Sequence, residues 1–246
     1  MLVNKILKVV LLLLGGLFIV LQGFAFEVEG AAVSALIFVL LTIVYCRWTE
    51  NKSKFFFWFL VLFTLAQLLS LYAYYGPVIE ENQIDYYYYG ANFLYILAYL
   101  FLIVKIVKGL DIKAVFSELS IPIFILVILD VFCVSIVTAT TENVFTFYEY
   151  VLEYGYNAVI MAVLSVALIN DMYRNDNKSM LFLVGSICIV FSEIIQLAYY
   201  YILENNNDLG FIYSFFLVVA FLFLYIQSQL EFTGPEPIYT DEQLEV

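Results

Sequence analysis

The chain has 246 residues, of which 65% are hydrophobic and 13% charged, and its formal net charge is −12 at pH 7. A water-soluble fold of this length would have to expose much of that apolar side chain, which excludes a soluble globular protein. Only ten residues are lysine or arginine, too few for a basic nucleic-acid-binding surface, so the sequence predicts an all-α membrane protein.

Eight stretches are apolar and long enough to cross a bilayer, since a membrane-spanning helix needs about 20 apolar residues. The predicted spans cover residues 6–26, 30–47, 55–75, 88–107, 116–138, 147–169, 180–202 and 211–229. The connections are short, so neighbouring helices are expected to pack as antiparallel hairpins, and Pro122 predicts a kink near the start of the fifth span. Residues 1–229 thus form one transmembrane domain, and residues 230–246 are predicted to be an acidic, disordered cytoplasmic tail.

The basic residues predict the orientation of these spans. All of them lie before or at the start of the first span, or in and beside the second, fourth and sixth connections, whereas the other connections contain none. Because cytoplasmic connections retain lysine and arginine, both termini are predicted to be cytoplasmic, and the expected location is the inner membrane of a bacterium. An alternative for the first span is a signal peptide, with Lys5 and Lys8 before its apolar run.

Polar side chains recur inside the spans, most clearly in the seventh. There Ser186, Glu193, Gln196 and Tyr200 are spaced by seven, three and four residues, which places them on one helix face. A carboxyl group within a bilayer costs several kcal/mol unless it is solvated, paired or protonated, so it marks a functional site by default. The other polar positions are Thr64, Gln67, Ser70 and Tyr74 in the third span, Asn92, Tyr95 and Tyr99 in the fourth, Asp130 in the fifth, and Glu149, Glu153, Tyr156 and Asn157 in the sixth.

No basic residue lies at the depth of Glu193 or Asp130, so each carboxyl must be protonated, hydrogen-bonded or wetted. For these two residues we favour a polar cavity enclosed in the membrane, where a neutral carboxylic acid can act as a general acid. For the serine, threonine and asparagine positions we favour interhelical hydrogen bonds of about 0.6–2 kcal/mol each. The tyrosine clusters at 86–89 and 199–201 are predicted to form an aromatic belt at the membrane surface.

Metal chemistry is not indicated. The chain has no histidine, the commonest metal ligand, and its three cysteines, Cys46, Cys133 and Cys188, all lie in apolar segments with no metal-site spacing. We predict neither a metal site nor another cofactor.

An internal repeat relates the two halves of the domain. Residues 66–75 resemble residues 192–201, and residues 98–102 resemble residues 220–224. The third and fourth spans would then correspond to the seventh and eighth, which predicts two parallel repeats of four helices. Gln67 and Glu193 would be related positions that face each other across the bundle.

The penultimate span resembles a family motif. Residues 185–193 read Gly-Ser-Ile-Cys-Ile-Val-Phe-Ser-Glu, which is similar to the Gly-Ala-x-x-Phe-x-x-Ser-Asp pattern of the YhhN family, eight-span membrane proteins that include the animal lysoplasmalogenases. Glycine, serine and acid match, with Glu193 for aspartate and Ile189 for phenylalanine.

Other spans resemble the family more loosely. The run from Tyr156 to Met161 is similar to a Tyr-x-x-Val-x-x-Met-like run in the sixth span. The family's Gly-Asp in the third span falls on Ala66-Gln67, and its Ala-His in the fourth falls on Ala98-Tyr99, so that acid and that histidine are absent here.

The resemblance implies hydrolysis of the vinyl ether bond of lysoplasmalogens, by protonation of carbon and addition of water to the resulting oxocarbenium ion. Glu193 would supply the acid, and Gln67 would orient water but cannot transfer a proton as a carboxyl does, which leaves open whether the chain is an enzyme. Asp130 and Glu153 are the two candidate substitutes for the missing acid. The candidate substrate-binding residues are Ser192, Gln196, Tyr99, Tyr156, Asn157 and Glu153.

We therefore expect a membrane protein that binds a single-chain lipid, such as a lysophospholipid, with weak or no hydrolysis. The alternative is a non-enzymatic, proton-coupled transporter or membrane sensor that uses Glu193 or Asp130.

Overall fold

The computed structural model describes residues 2–77, 84–203 and 207–231, and within them all regular elements are α-helices. The helices are α1 (Leu2–Gly23), α2 (Glu27–Trp48), α3 (Lys54–Ala73), α4 (Tyr86–Lys108), α5 (Ile112–Ala139), α6 (Phe147–Arg174), α7 (Asn177–Tyr201) and α8 (Asn207–Ser228). All eight are long and apolar enough to cross a membrane. Each predicted span overlaps one helix, with ends that differ by at most five residues. Residues 232–246 of the predicted tail lie outside the described residues.

Short polar side chains cap the start of several helices. The Asp85 carboxylate accepts hydrogen bonds of 2.9 Å from the backbone N–H groups of Tyr87 and Tyr88 at the start of α4. The Asp176 carboxylate accepts a hydrogen bond of 2.7 Å from the backbone N–H of Ser179 at the start of α7. The first N–H groups of a helix have no partner within it. These aspartates supply the missing acceptors and so fix where each helix starts.

Helix α5 has the kink that Pro122 predicts. Leu119, three residues earlier, has φ −118° and ψ 23°, outside the helical range. Proline has no N–H to donate and its ring collides with the carbonyl of the residue four positions before it, so the turn that precedes it opens.

Seven of the eight helices form a closed ring. They pack in the order α1, α2, α3, α4, α6, α7, α8, and α8 returns to α1. Helix α5 lies outside this ring against α6, and most of its apolar side chains face outward. The expectation that sequence neighbours pack together therefore has one exception, because α4 packs on α6 rather than on α5.

Glycines let α1 pack closely against α2 and α8. A Cβ atom at Gly210 of α8 would collide with the Gln22 carbonyl oxygen, and one at Gly30 of α2 would collide with the Gln22 side chain. Helices approach closely in a membrane where small residues lie at their contact.

Aromatic rings fill the centre of the ring of helices. Phe38, Phe59, Phe63, Tyr99 and Phe221 come from four helices, and each is at most 4% exposed. Phe59 and Phe221 stack with centroids 5.6 Å apart, and Phe221 lies 4.5 Å edge-on from Phe38. This set, which we call the aromatic core, joins α2, α3, α4 and α8 by packing.

We predict that Phe221→Ala destabilises the protein by about 1–3 kcal/mol. Lipid is as apolar as the core, so only the packing and cavity part of the ~3–5 kcal/mol cost in soluble proteins should remain. Unfolding in detergent by titration with dodecyl sulfate measures the change. Phe132→Ala is the matched control, because that ring is 60% exposed on α5. Equal losses in the two variants would contradict a packed aromatic core.

Candidate functional site

A cavity of about 450 Å³ lies inside the ring of helices, and every helix of the ring contributes to its wall, whereas α5 does not. Its lining includes Asp85, Tyr87 and Tyr201, which are at the helix ends where the connections carry no lysine or arginine. We call this the base-free end. Glu193 is eight residues before the end of α7, about 12 Å along the helix, so the cavity reaches well into the span.

Two tyrosine hydroxyls hold Glu193. Tyr99 of α4 donates a hydrogen bond of 2.5 Å to Oε1, and Tyr156 of α6 donates one of 2.8 Å to Oε2. Both tyrosines are buried, with 0% and 7% exposure. Each of these hydrogen bonds offsets part of the free-energy cost of burying the Glu193 carboxyl group inside the membrane.

Gln67 shares the cavity with Glu193, as the repeat predicts. Its Oε1 accepts a hydrogen bond of 3.0 Å from Ser34 of α2, and the hydroxyl of Tyr95 lies close to both Gln67 and Ser70. The amide nitrogen of Gln67 can donate to a ligand or water, but the side chain has no acidic proton.

A second carboxyl group faces the same cavity. Glu153 of α6 is 6% exposed and accepts a hydrogen bond of 3.1 Å from Asn157. Asn157 also lies 3.2 Å from the hydroxyl of Thr138 on α5, which anchors the pair. Four of the predicted binding residues line the cavity: Glu153, Tyr156, Asn157 and Gln196. Tyr99 does not line it but holds Glu193, which does.

Two predicted site residues lie elsewhere. Asp130 does not line the cavity and is bound instead by the hydroxyl of Ser165, at 2.9 and 2.7 Å from its two oxygens, between α5 and α6. The hydroxyl of Ser192 donates a hydrogen bond of 2.9 Å to the carbonyl of Tyr213 and so joins α7 to α8. Both contacts are interhelical hydrogen bonds, the role expected for serine. Ser186, placed on the Glu193 face by its spacing, donates to its own helix at Phe182.

Gln22 at the end of α1 is a lining residue that the sequence did not single out. Its side chain is 3% exposed and its Oε1 has no hydrogen-bond partner among the described residues. Tyr88 also lines the cavity, and its buried hydroxyl likewise has no hydrogen-bond partner among the described residues. A buried polar atom without a hydrogen-bond partner carries a free-energy cost. A glutamine near the end of an apolar run was the available clue for Gln22.

Part of each tyrosine cluster lines the cavity. Tyr87, Tyr88, Tyr200 and Tyr201 line the base-free end of the cavity, and Tyr199 is fully buried, which contradicts a belt position for that residue. The hydroxyl of Tyr199 donates a hydrogen bond of 3.3 Å to the carboxylate of Glu27.

Tyr74, just beyond the end of α3, completes this end of the cavity. Burial, and then the nearby Glu27 carboxylate, raise the pKa of its hydroxyl, which therefore stays neutral.

Neither the known protein families, nor curated proteins, nor solved structures match this chain. The resemblance to the YhhN family therefore depends on the motif residues alone. Within the described ranges, no group of three or more cysteine, aspartate or glutamate residues is placed to hold a metal ion.

We predict that water reaches the cavity from the base-free end. With the three native cysteines replaced by alanine, Ser70→Cys should react with a cationic, membrane-impermeant methanethiosulfonate, because Ser70 lines the cavity. Ala98→Cys, which is fully buried, and Ser135→Cys, on the exposed face of α5, are the controls and should stay unreacted. Equal labelling at all three positions, measured by mass shift, would contradict a water-filled cavity.

Proposed function

We propose that this protein binds a single-chain lipid in the cavity of its helix ring, as a divergent YhhN-like integral membrane protein. The observation that carries the proposal is that Gln67 and Glu193 line one cavity. Small-molecule sites have volumes of about 300–1,000 Å³, and about 450 Å³ suits one alkyl chain with its head group better than a two-chain lipid.

The same geometry argues against efficient hydrolysis of a vinyl ether. Both oxygens of Glu193 are already hydrogen-bonded to tyrosine hydroxyls, so a lipid carbon would have to displace one of these contacts to take a proton from Glu193. Gln67 stands where the resembled family has an acid. We infer that the chain is a lipid-binding protein with weak or no lysoplasmalogenase activity.

Gln67→Asp should restore the second acid of the resembled family and raise vinyl ether hydrolysis above the level of the unchanged protein. Release of fatty aldehyde from a lysoplasmalogen in detergent measures the rate. Gln67→Asn is the matched control, since it shortens the side chain without adding an acid. Rapid hydrolysis by the unchanged protein, abolished by Glu193→Gln, would show instead that the native site is catalytic.

We further propose that both termini are cytoplasmic, in the inner membrane of a bacterium, because every lysine and arginine then lies on the cytoplasmic side. In intact cells, an impermeant thiol reagent should label Asn143→Cys and leave Asn51→Cys unlabelled; both positions are exposed and lie at opposite ends of the ring. The reverse pattern would invert the topology.

The proposed duplication relates α1–α4 to α5–α8. In support, the packing of α1 on α2, α2 on α3 and α3 on α4 recurs as α5 on α6, α6 on α7 and α7 on α8. The halves differ in how they join, since α1 lies in the ring and α5 lies outside it.

Transport or sensing through Glu193 or Asp130 is the alternative. The two carboxyls lie in different places, Glu193 in the cavity and Asp130 between α5 and α6. Uptake into proteoliposomes that needs a pH gradient and is lost in Asp130→Asn would favour this alternative over lipid binding.

A further inference from the structure

Two lysines lie at one end of the contact between α3 and α4, on the outer side of the ring of helices. Lys54 begins α3, and Lys108 ends α4. Lys108 is exposed, and its Nζ atom lies 4.7 Å from the centroid of the Phe55 ring. Because Phe55 directly follows Lys54, this contact places both lysines at one patch of surface. None of these three residues lines the cavity.

Aromatic rings continue from the lysines into the span. Phe55 packs on Phe101, and Phe101 packs on Trp58, in each case with centroids 6.4 Å apart. Trp58 is 47% exposed and follows Lys54 by four residues, about 6 Å along the helix. Phe101 precedes Lys108 by seven residues, about 10 Å. We call these five residues, Lys54, Phe55, Trp58, Phe101 and Lys108, the lysine–aromatic groove.

The positive charge of this groove is not balanced by its own helices. Neither α3 nor α4 contains aspartate or glutamate. The nearest acids along the chain are Glu50 and Asp111, in the flanking connections, and the Asp111 carboxylate accepts hydrogen bonds from two backbone N–H groups at the start of α5. The described partner of the Lys108 ammonium is the Phe55 ring, which attracts a cation without neutralising it.

We propose that the lysine–aromatic groove binds an anionic phospholipid of the surrounding bilayer. The phosphodiester lies against Lys54 and Lys108, and the glycerol and the first part of an acyl chain pack on Trp58 and Phe101. Basic side chains at a membrane surface attract anionic head groups, and tryptophan is at home at the level just below them.

The exposed Trp58 ring favours a lipid over a soluble phosphate or an acidic peptide. It belongs to a helix apolar enough to cross a membrane and lies deeper in it than Lys54, where the neighbouring molecules are lipids. The groove is on the outer side of the ring, so this proposal does not depend on the function proposed for the cavity.

The tryptophan in the groove can report which lipid lies beside it. The chain has two tryptophans, so Trp48→Phe leaves Trp58 as the only one. Bromine on an acyl chain quenches tryptophan fluorescence on contact. Brominated phosphatidylglycerol and brominated phosphatidylcholine are therefore titrated separately into bilayers that hold this chain. We expect phosphatidylglycerol to be favoured at Trp58 by about fivefold or more, the effect of one lysine near an anionic head group.

A pair of lysine variants then locates the charge. Lys108→Gln should reduce the preference for phosphatidylglycerol at Trp58 about fivefold, because glutamine is polar but uncharged. Lys8→Gln is the matched control, since Lys8 is also exposed and its Nζ atom lies 5.4 Å from the centroid of the Tyr225 ring, between α1 and α8. That variant should leave the preference at Trp58 unchanged.

A second reporter separates the groove from the rest of the membrane surface. Phe132→Trp, in a chain whose two native tryptophans are replaced by phenylalanine, lies on the exposed face of α5 and should show no preference between the two lipids. Both reporters retain every lysine, so their comparison does not depend on the folding of a lysine variant.

Four results would overturn the proposal. Equal quenching of Trp58 by the two lipids would exclude a selective site. A preference that survives Lys108→Gln, or that recurs at Phe132→Trp, would reflect general charge and not the groove. Relief of the quenching by soluble glycerol phosphate would show that the acyl chain adds nothing. A preference that appears only after the tail acids are changed to amides would show that the tail occupies the groove; these acids are Glu236, Asp241, Glu242 and Glu245.

Discussion

A carboxyl group held inside a membrane by two phenolic hydroxyls is the interaction on which this structure depends. Within the part of the chain that the structure describes, Glu193 has no basic partner, and its two oxygens are held by the hydroxyls of Tyr99 and Tyr156. The three residues come from α7, α4 and α6, so these helices must meet at one depth. A chain that placed α5 between α4 and α6 could not make both bonds.

That requirement accounts for the unusual order of the ring. At the opposite end of the same two helices, Arg174 of α6 donates to the carbonyl of Gly109, just after α4, and to Asn170 at 3.1 Å. Helices α4 and α6 are thus fastened both near Glu193 and at the end that carries the basic residues. Helix α5 is left with α6 as its main neighbour, and its bulky apolar side chains are stable there because lipid solvates them as well as protein does.

The sequence was sufficient for the eight helices, the Pro122 kink and the placing of Gln67 and Glu193 at one cavity. Length, hydropathy and spacing depend on one helix at a time, and the similarity of residues 66–75 to residues 192–201 related Gln67 to Glu193. It was not sufficient for the place of α5, because apolar side chains look the same whether they meet lipid or another helix. The depth of Asp130 in its span likewise could not show that its carboxyl group is hydrogen-bonded to Ser165 and does not line the cavity. Gln22 was missed because an isolated glutamine has no periodic partner in its span.

The closure of α1 against α8 has a consequence for biosynthesis. Helix α1 leaves the ribosome long before α8, so its Gln22 is enclosed only when Gly210 arrives. Until then the α1–α2 hairpin has an open edge with a polar side chain facing lipid, and the cavity has no wall on that side. The cavity is therefore closed only when α8 is in place, and a chain that stops before α8 would retain seven helices and leave the cavity open on that side.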